Sequence, residues 1–106
     1  MDRLSPSELD IIAGALRAAA YGEFFPDWEF HILFGITRDE LQDVYNEWPS
    51  QSHDIEVIEC AVMGALNNLI GYPHGMDNEL LKFVPGGKPS MQIILNHLRD
   101  LGYSPC

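Results

Sequence analysis

The sequence of 106 residues contains little positive charge, with six Lys and Arg against 16 Asp and Glu and a formal net charge of −10. Six scattered bases cannot supply the basic face with which proteins neutralise nucleic-acid phosphates, so nucleic-acid binding by that means is excluded. The longest uninterrupted apolar run is the seven residues of 60–66, whereas a membrane-spanning helix needs roughly 18. The composition therefore predicts no nucleic-acid partner and no membrane span.

Cysteine is also scarce. Cys60 and Cys106 are too few to build a disulfide framework, and the first residues, from Met1 to Pro6, lack the apolar core of a signal peptide. Disulfides are rare in the cytoplasm. We therefore expect a cytoplasmic protein in which both thiols are reduced, with Cys60 as an inert buried thiol rather than a nucleophile.

Hydrophobic residues, by contrast, are plentiful and evenly spread, at 46% of the chain. A chain of this length can bury a core as one domain without the help of a metal or of disulfides. No internal repeat and no linker divides the sequence. We therefore expect one domain over residues 1–106.

Two capping boxes mark the starts of predicted helices. In the first, Ser5 and Glu8 are followed by apolar residues at three- and four-residue spacing, which predicts a helix over 6–21. In the second, Thr37 and Glu40 precede another amphipathic helix. Both starts are predicted by local hydrogen bonding alone.

The segment 24–34 is rich in aromatic residues, and its pattern leaves two alternatives open. A short helix over 28–34, capped by Asp27, fits the spacing. A short strand fits it equally. No second strand candidate exists for pairing, and this favours the helix.

Residues 54–70 are apolar on nearly all sides, as expected for a buried helix. Further helices are predicted over 77–83 and, after a cap at Ser90, over the residues up to Gly102. We therefore predict an all-α fold, a compact single-domain bundle of about five or six helices around a buried central helix at about 54–70.

Acidic residues are concentrated between Glu23 and Glu59, where ten acids and one base, Arg38, give a net charge of −9 over 37 residues. One interpretation is a solvated face that keeps the protein soluble. The other is a docking surface that attracts a basic partner. The second gains modest support from three acids that lie four residues apart on one helix face despite their mutual repulsion: Asp39, Asp43 and Glu47.

Five polar residues are candidates for a ligand-binding site. Asp27 and His31 fall at positions i and i+4 in aromatic surroundings, a spacing that suits either an acid–base pair or a local salt bridge. Asn67 and Asn68 lie in an apolar helix, where amides must find hydrogen-bond partners. These two amides either fix the end of the helix or bind a ligand together with His74 of the following turn.

The sequence contains no recognisable set of catalytic or metal-binding residues. Its four histidines show no metal-ligand spacing. No nucleophile with its base can be assembled at a known spacing, and no glycine-rich phosphate loop follows a strand. We therefore expect no metal, no cofactor and no catalytic residue.

Residues 25–35 and 66–75 resemble stretches of small uncharacterised bacterial proteins, over a part of the chain that runs from 23 to 75. The resemblance implies a bacterial, cytoplasmic origin. It carries no activity, cofactor or catalytic residue to transfer.

Two hypotheses about function follow. The first is a non-enzymatic interaction module that binds a basic partner protein, as an inhibitor, an immunity or antitoxin-like protein, or a subunit. The second is a small-molecule or catalytic site between the 24–34 segment and the 67–75 turn. The first is favoured because the acidic region is present and a catalytic set is not. Pairing of two copies through the Trp28 and Trp48 regions stays open.

Overall fold

The computed structural model describes residues 3–50 and 53–103. Within those ranges the chain forms six helices and no strand, which confirms the predicted all-α bundle around a buried central helix. The helices are α1 (Pro6–Tyr21), α2 (Asp27–Phe34), α3 (Arg38–Glu47), α4 (Ile55–Gly71), α5 (Asp77–Phe83) and α6 (Gly87–Asp100).

Both predicted capping boxes are formed. Ser5 Oγ accepts the Glu8 N–H at 3.3 Å while Glu8 Oε1 accepts the Ser5 N–H at 2.9 Å. At α3, Thr37 Oγ1 accepts the Glu40 N–H at 3.1 Å and Glu40 Oε1 accepts the Thr37 N–H at 2.9 Å. The backbone donor in each box holds the pKa of its carboxyl below the ordinary value.

The aromatic segment is a helix, so the strand alternative is wrong. α2 begins at Asp27 itself, with Pro26 as the preceding cap residue, and it ends at Gly35. The backbone of Gly35 has a φ of 72°, a left-handed conformation that glycine adopts without strain.

α4 crosses the middle of the bundle and packs against α1, α2, α3 and α6. Ten of its 17 residues are buried. Gly64 lets α2 approach closely, because a Cβ added there would lie 2.9 Å from Phe34 Cδ2. The central helix therefore positions α2 through a contact that leaves no room for a side chain.

The predicted cap of α6 at Ser90 is wrong. The helix begins at Gly87, one turn earlier, after Gly86 turns the chain with a φ of 82°. Pro89 does not prevent this start, since the N–H groups of the first turn have no partner inside the helix in any case. Ser90 instead lies in the first turn, beside Gly86.

The expectation of a reduced thiol is wrong for Cys60, which is buried in α4 and disulfide-bonded. The expectation for Cys106 lies outside the described residues. Because disulfides persist mainly in oxidising compartments, cysteine usage no longer supports a cytoplasmic location. A search of the described residues finds no helix long and apolar enough to cross a membrane.

Gly64→Ala should lower the free energy of unfolding by about 1–3 kcal/mol, because the added methyl group overpacks against Phe34. Gly71→Ala is the matched control, since no atom lies within 4 Å of a Cβ at that position of the same helix. It should be neutral or stabilise by up to about 1 kcal/mol. Urea unfolding followed by circular dichroism measures both, and equal losses would contradict the proposed packing role of Gly64.

The capping box of α1 should give the stability a defined pH dependence. Glu8 Oε2 also lies 2.7 Å from His97 Nδ1 of α6, and its pKa is lowered chiefly by the Ser5 N–H and next by His97. A carboxyl whose pKa is lowered by folding stabilises the fold above its unfolded pKa, and this contribution is lost as the pH falls through the lowered value.

Glu8→Gln should therefore be less stable than the unmodified protein near neutral pH, and the difference should shrink as the pH falls from about 5 to about 3. Urea midpoints across that range measure the effect. The exposed Glu23→Gln variant, which lies outside both capping boxes, is the control. A difference between Glu8→Gln and the unmodified protein that stays constant with pH would contradict the role of Glu8.

Candidate functional site

Arg38, the first residue of α3, holds the carboxyl end of α1. A helix leaves its last four carbonyls without partners inside the helix. Arg38 Nη1 donates to the carbonyl oxygens of Ala19 at 3.1 Å and of Ala20 at 3.5 Å. Gln42, one turn along α3, donates from Nε2 to the same Ala20 oxygen at 3.2 Å. Two side chains of α3 therefore fasten it to the end of α1.

The same guanidinium fixes the start of α2. Arg38 Nη2 donates to the Phe25 carbonyl at 3.0 Å, and Nε donates to Asp27 Oδ1 at 3.1 Å. Its central carbon lies 4.4 Å from the ring centre of Phe30, in cation–π geometry. The side chain is only 23% exposed. One residue thus sets the position of α2 relative to both α1 and α3.

Two shallow clefts share Arg38 and Asp27 as lining residues. The larger, of about 590 Å³, extends along the end of α1 and the loop that follows it, and it includes Glu23. The smaller, of about 280 Å³, lies between the starts of α2 and α3 and includes Asp39. Both clefts are open to solvent, and each is lined by two carboxylates together with Arg38.

Asp27 and His31 both line the smaller cleft, but they do not form the predicted pair. Asp27 Oδ1 lies 3.0 Å from Nη2 of Arg38, with which it forms an ion pair. His31 is exposed beside Glu40, whose pKa is lowered chiefly by the Thr37 N–H and to a smaller degree by this histidine. Asp27 therefore does not orient the imidazole.

The two asparagines of α4 are engaged within the protein. Asn68 is 9% exposed, and its Nδ2 donates to the Leu33 carbonyl of α2 at 3.0 Å and to the Gly64 carbonyl at 2.9 Å. Asn67 Oδ1 accepts from Arg99 Nη2 of α6 at 3.3 Å. Asn68 thus ties α4 to α2, which matches the first of the two alternatives for this residue.

His74 has both ring nitrogens in hydrogen-bond contact with the backbone. Nδ1 accepts the Met76 N–H at 2.9 Å, and Nε2 lies 2.9 Å from the Leu69 carbonyl. Since a carbonyl can only accept, Nε2 carries the proton. The ring also meets Phe24 edge-on, with centres 5.1 Å apart. His74 therefore packs the 72–75 turn against the aromatic segment.

Of the five candidate ligand residues, Asp27 and His31 share one cleft, while Asn67, Asn68 and His74 line neither of the two clefts described above. Within residues 3–50 and 53–103, no group of three or more metal-ligating side chains is assembled either.

The acidic residues of α3 lie together on the surface. Asp39, Asp43 and Glu47 are all exposed along the same helix. Glu47 Oε2 lies 2.9 Å from His53 Nδ1, so the end of the row is close to a group that becomes positive when protonated. Asp39 and Asp43 extend the row toward the smaller cleft, which Asp39 lines.

Sequence reasoning missed two features of this region. The first is that Arg38 connects α3 to α1 and α2. Its position as the one Lys or Arg among ten acids could have pointed to such a role. The second is that Ile32 lies beside Trp28 on the outer face of α2, where the two are 82% and 75% exposed; the sequence by itself leaves exposure of the Trp28 region open. The four-residue spacing of Trp28 and Ile32 predicts a shared helix face, although it does not tell which face is buried.

Comparison of the chain with protein-family models, curated proteins and solved structures gives no match. Function is therefore inferred from the chain's own residues and their geometry. The resemblance to small bacterial proteins stays a prediction.

Arg38→Lys should lower the free energy of unfolding by about 2 kcal/mol, because one ammonium cannot serve the carbonyls of α1, the loop carbonyl and Asp27 together. Arg17→Lys is the matched control, since the Arg17 guanidinium lies over one ring, Phe83, on an exposed helix face. It should cost about 0.5 kcal/mol or less. Urea unfolding measures both, and equal losses would contradict the fastening role of Arg38.

Proposed function

We propose that this protein is a non-enzymatic interaction module that binds a basic partner protein through the acidic surface of α2 and α3. The observation that carries the proposal is the placement of charge in this region. Its one Lys or Arg side chain, Arg38, is committed to backbone carbonyls and to Asp27. The exposed carboxylates Asp39 and Asp43 therefore keep a negative field that a basic partner would neutralise.

The electrostatic repulsion between acidic side chains on α3 also supports the proposal. Like charges at i and i+4 on a helix destabilise it by about 0.2–0.5 kcal/mol per pair. Asp39 and Asp43 stand at this spacing. A surface that holds carboxylates in mutual repulsion gains from a partner that brings the opposite charge.

Such a module has three forms that fit a small acidic bundle: an inhibitor, an immunity or antitoxin-like protein, or a subunit of a larger assembly. The bacterial and cytoplasmic origin implied by the sequence resemblance belongs to the proposal as well, and the disulfide of Cys60 is the observation that counts against the cytoplasm. A small-molecule site between 24–34 and 67–75 has less support, because Asn68 and His74 are bonded within the protein.

The double change Asp39→Lys with Asp43→Lys should slow association with the basic partner by about tenfold or more, with little effect on dissociation, because long-range charge acts mainly on encounter. The partner is first captured from an extract of the source cells at about 50 mM salt. The amount captured should fall at about 200 mM salt, where exposed charges are screened. Surface plasmon resonance with the purified partner then gives both rate constants.

Asp10→Lys with Asp100→Lys is the matched control, since it changes the net charge equally on exposed positions of α1 and α6. It should slow association much less. Equal rates for both double variants would show that only the net charge matters and would contradict a docking surface on α2 and α3. Capture of no basic protein at low salt would also count against the proposal.

A further inference from the structure

α2 carries apolar side chains on two faces. Phe30 and Phe34 face the core, where their rings stack at 4.3 Å between centres and 5° between planes. Trp28 and Ile32, four residues apart, point outward and are 75% and 82% exposed. Side chains at this spacing adjoin one another on a helix surface. α2 thus presents a tryptophan–isoleucine pair to solvent.

Trp28 is not held by the part of the chain that the structure describes, since it makes none of the ring contacts found there and its indole donates no hydrogen bond within it. The other tryptophan, Trp48, is different, because its Nε1 donates to the Leu9 carbonyl at 3.0 Å. Tryptophan is strongly enriched among the residues that dominate binding energy at protein interfaces. An exposed Trp28 on a short helix is therefore a candidate anchor.

The position of α2 is fixed before any partner arrives. Arg38 holds its first turn, Asn68 bonds to Leu33 near its end, and Phe34 packs over Gly64. A rigid surface loses little conformational entropy on binding, which favours its use as an interface.

The charges around the pair decide what kind of molecule covers it. Asp27 is 93% exposed at the start of α2, and Asp39 lines the adjoining cleft. A second copy of this chain would bring these carboxylates toward like charges. An anionic membrane would repel them too, because helices that lie on such membranes carry Lys and Arg beside their apolar face. A partner with basic residues beside an apolar face is complementary to both features.

We propose that Trp28 and Ile32 form the apolar anchor on which a basic amphipathic helix of the partner docks. The partner's apolar face covers the pair, and its flanking Lys or Arg side chains reach Asp27 and Asp39. The proposal rests on the proposed function, since it names the part of the acidic surface that supplies most of the affinity.

The test uses a synthetic leucine–lysine peptide of about 18 residues, which forms an amphipathic helix of about five turns. A second peptide, in which glutamine replaces every leucine, keeps the charge without the apolar face. Affinity is measured by isothermal titration, and the tryptophan emission, to which Trp28 and Trp48 both contribute, is followed in parallel. The first peptide should bind with a blue shift that is absent from Trp28→Phe, and the second should bind at least about tenfold more weakly.

Ile32→Ser should weaken binding of the leucine–lysine peptide about tenfold. Ile93→Ser is the matched control, because Ile93 is also exposed, at 70%, but lies on α6. It should change the affinity by less than about twofold. Both positions face solvent, so neither change should unfold the protein, which circular dichroism checks.

Five results would overturn the anchor. The first is an equal effect of the two isoleucine changes, and the second is equal binding of the two peptides. The third is no binding of either peptide up to about 1 mM, a concentration above the range of specific docking. A concentration-dependent dimer that Ile32→Ser abolishes, seen by sedimentation, would assign the face to a second copy instead. If the Asp39→Lys, Asp43→Lys variant loses binding while Ile32→Ser does not, the acidic docking surface stands and the anchor fails.

Discussion

The arrangement of the first three helices depends on the guanidinium of Arg38. Its donors reach the end of α1 and the carbonyl before α2, and the side chain of Asp27 pairs with it. Five donors in a planar fork make such divided bonding possible, and a lysine ammonium does not offer it. The consequence is also electrostatic. The one Lys or Arg among ten acids is bonded to backbone carbonyls and to Asp27, so it does not neutralise the exposed carboxylates of Asp39 and Asp43.

The outward face of α2 follows from the same constraint. With its start held by Arg38 and its end packed against Gly64 of α4, the helix can bury only one side. Phe30 and Phe34 occupy that side, and close packing leaves no room for a rotation that would bring Trp28 inward. The exposed tryptophan is therefore a product of how the helix is fixed.

Much of the fold can be predicted from the sequence because its strongest signals are local. The capping boxes at Ser5 and Thr37 involve residues three apart, and they predict the starts of α1 and α3 correctly. The start of α6 is harder, because Ser90 is a good cap by residue type. The chain instead turns at Gly86 through a positive φ, and the helix begins at Gly87 before the serine is reached. Two adjacent glycines permit that turn without predicting it.

The candidate site is less predictable, because a polar residue in an apolar stretch needs a partner that the sequence does not identify. Asn68 finds its partner 35 residues away, in the Leu33 carbonyl, and His74 finds two close by in the sequence, at Leu69 and Met76. Once these groups are satisfied internally, they have no need of a ligand. Trp28 and Ile32 are the opposite case, since their exposure adds nothing to the core and leaves apolar surface in water. A rigid apolar pair within an acidic field is complementary to a molecule that is both apolar and basic, and we therefore prefer the proposed interaction module to a small-molecule site.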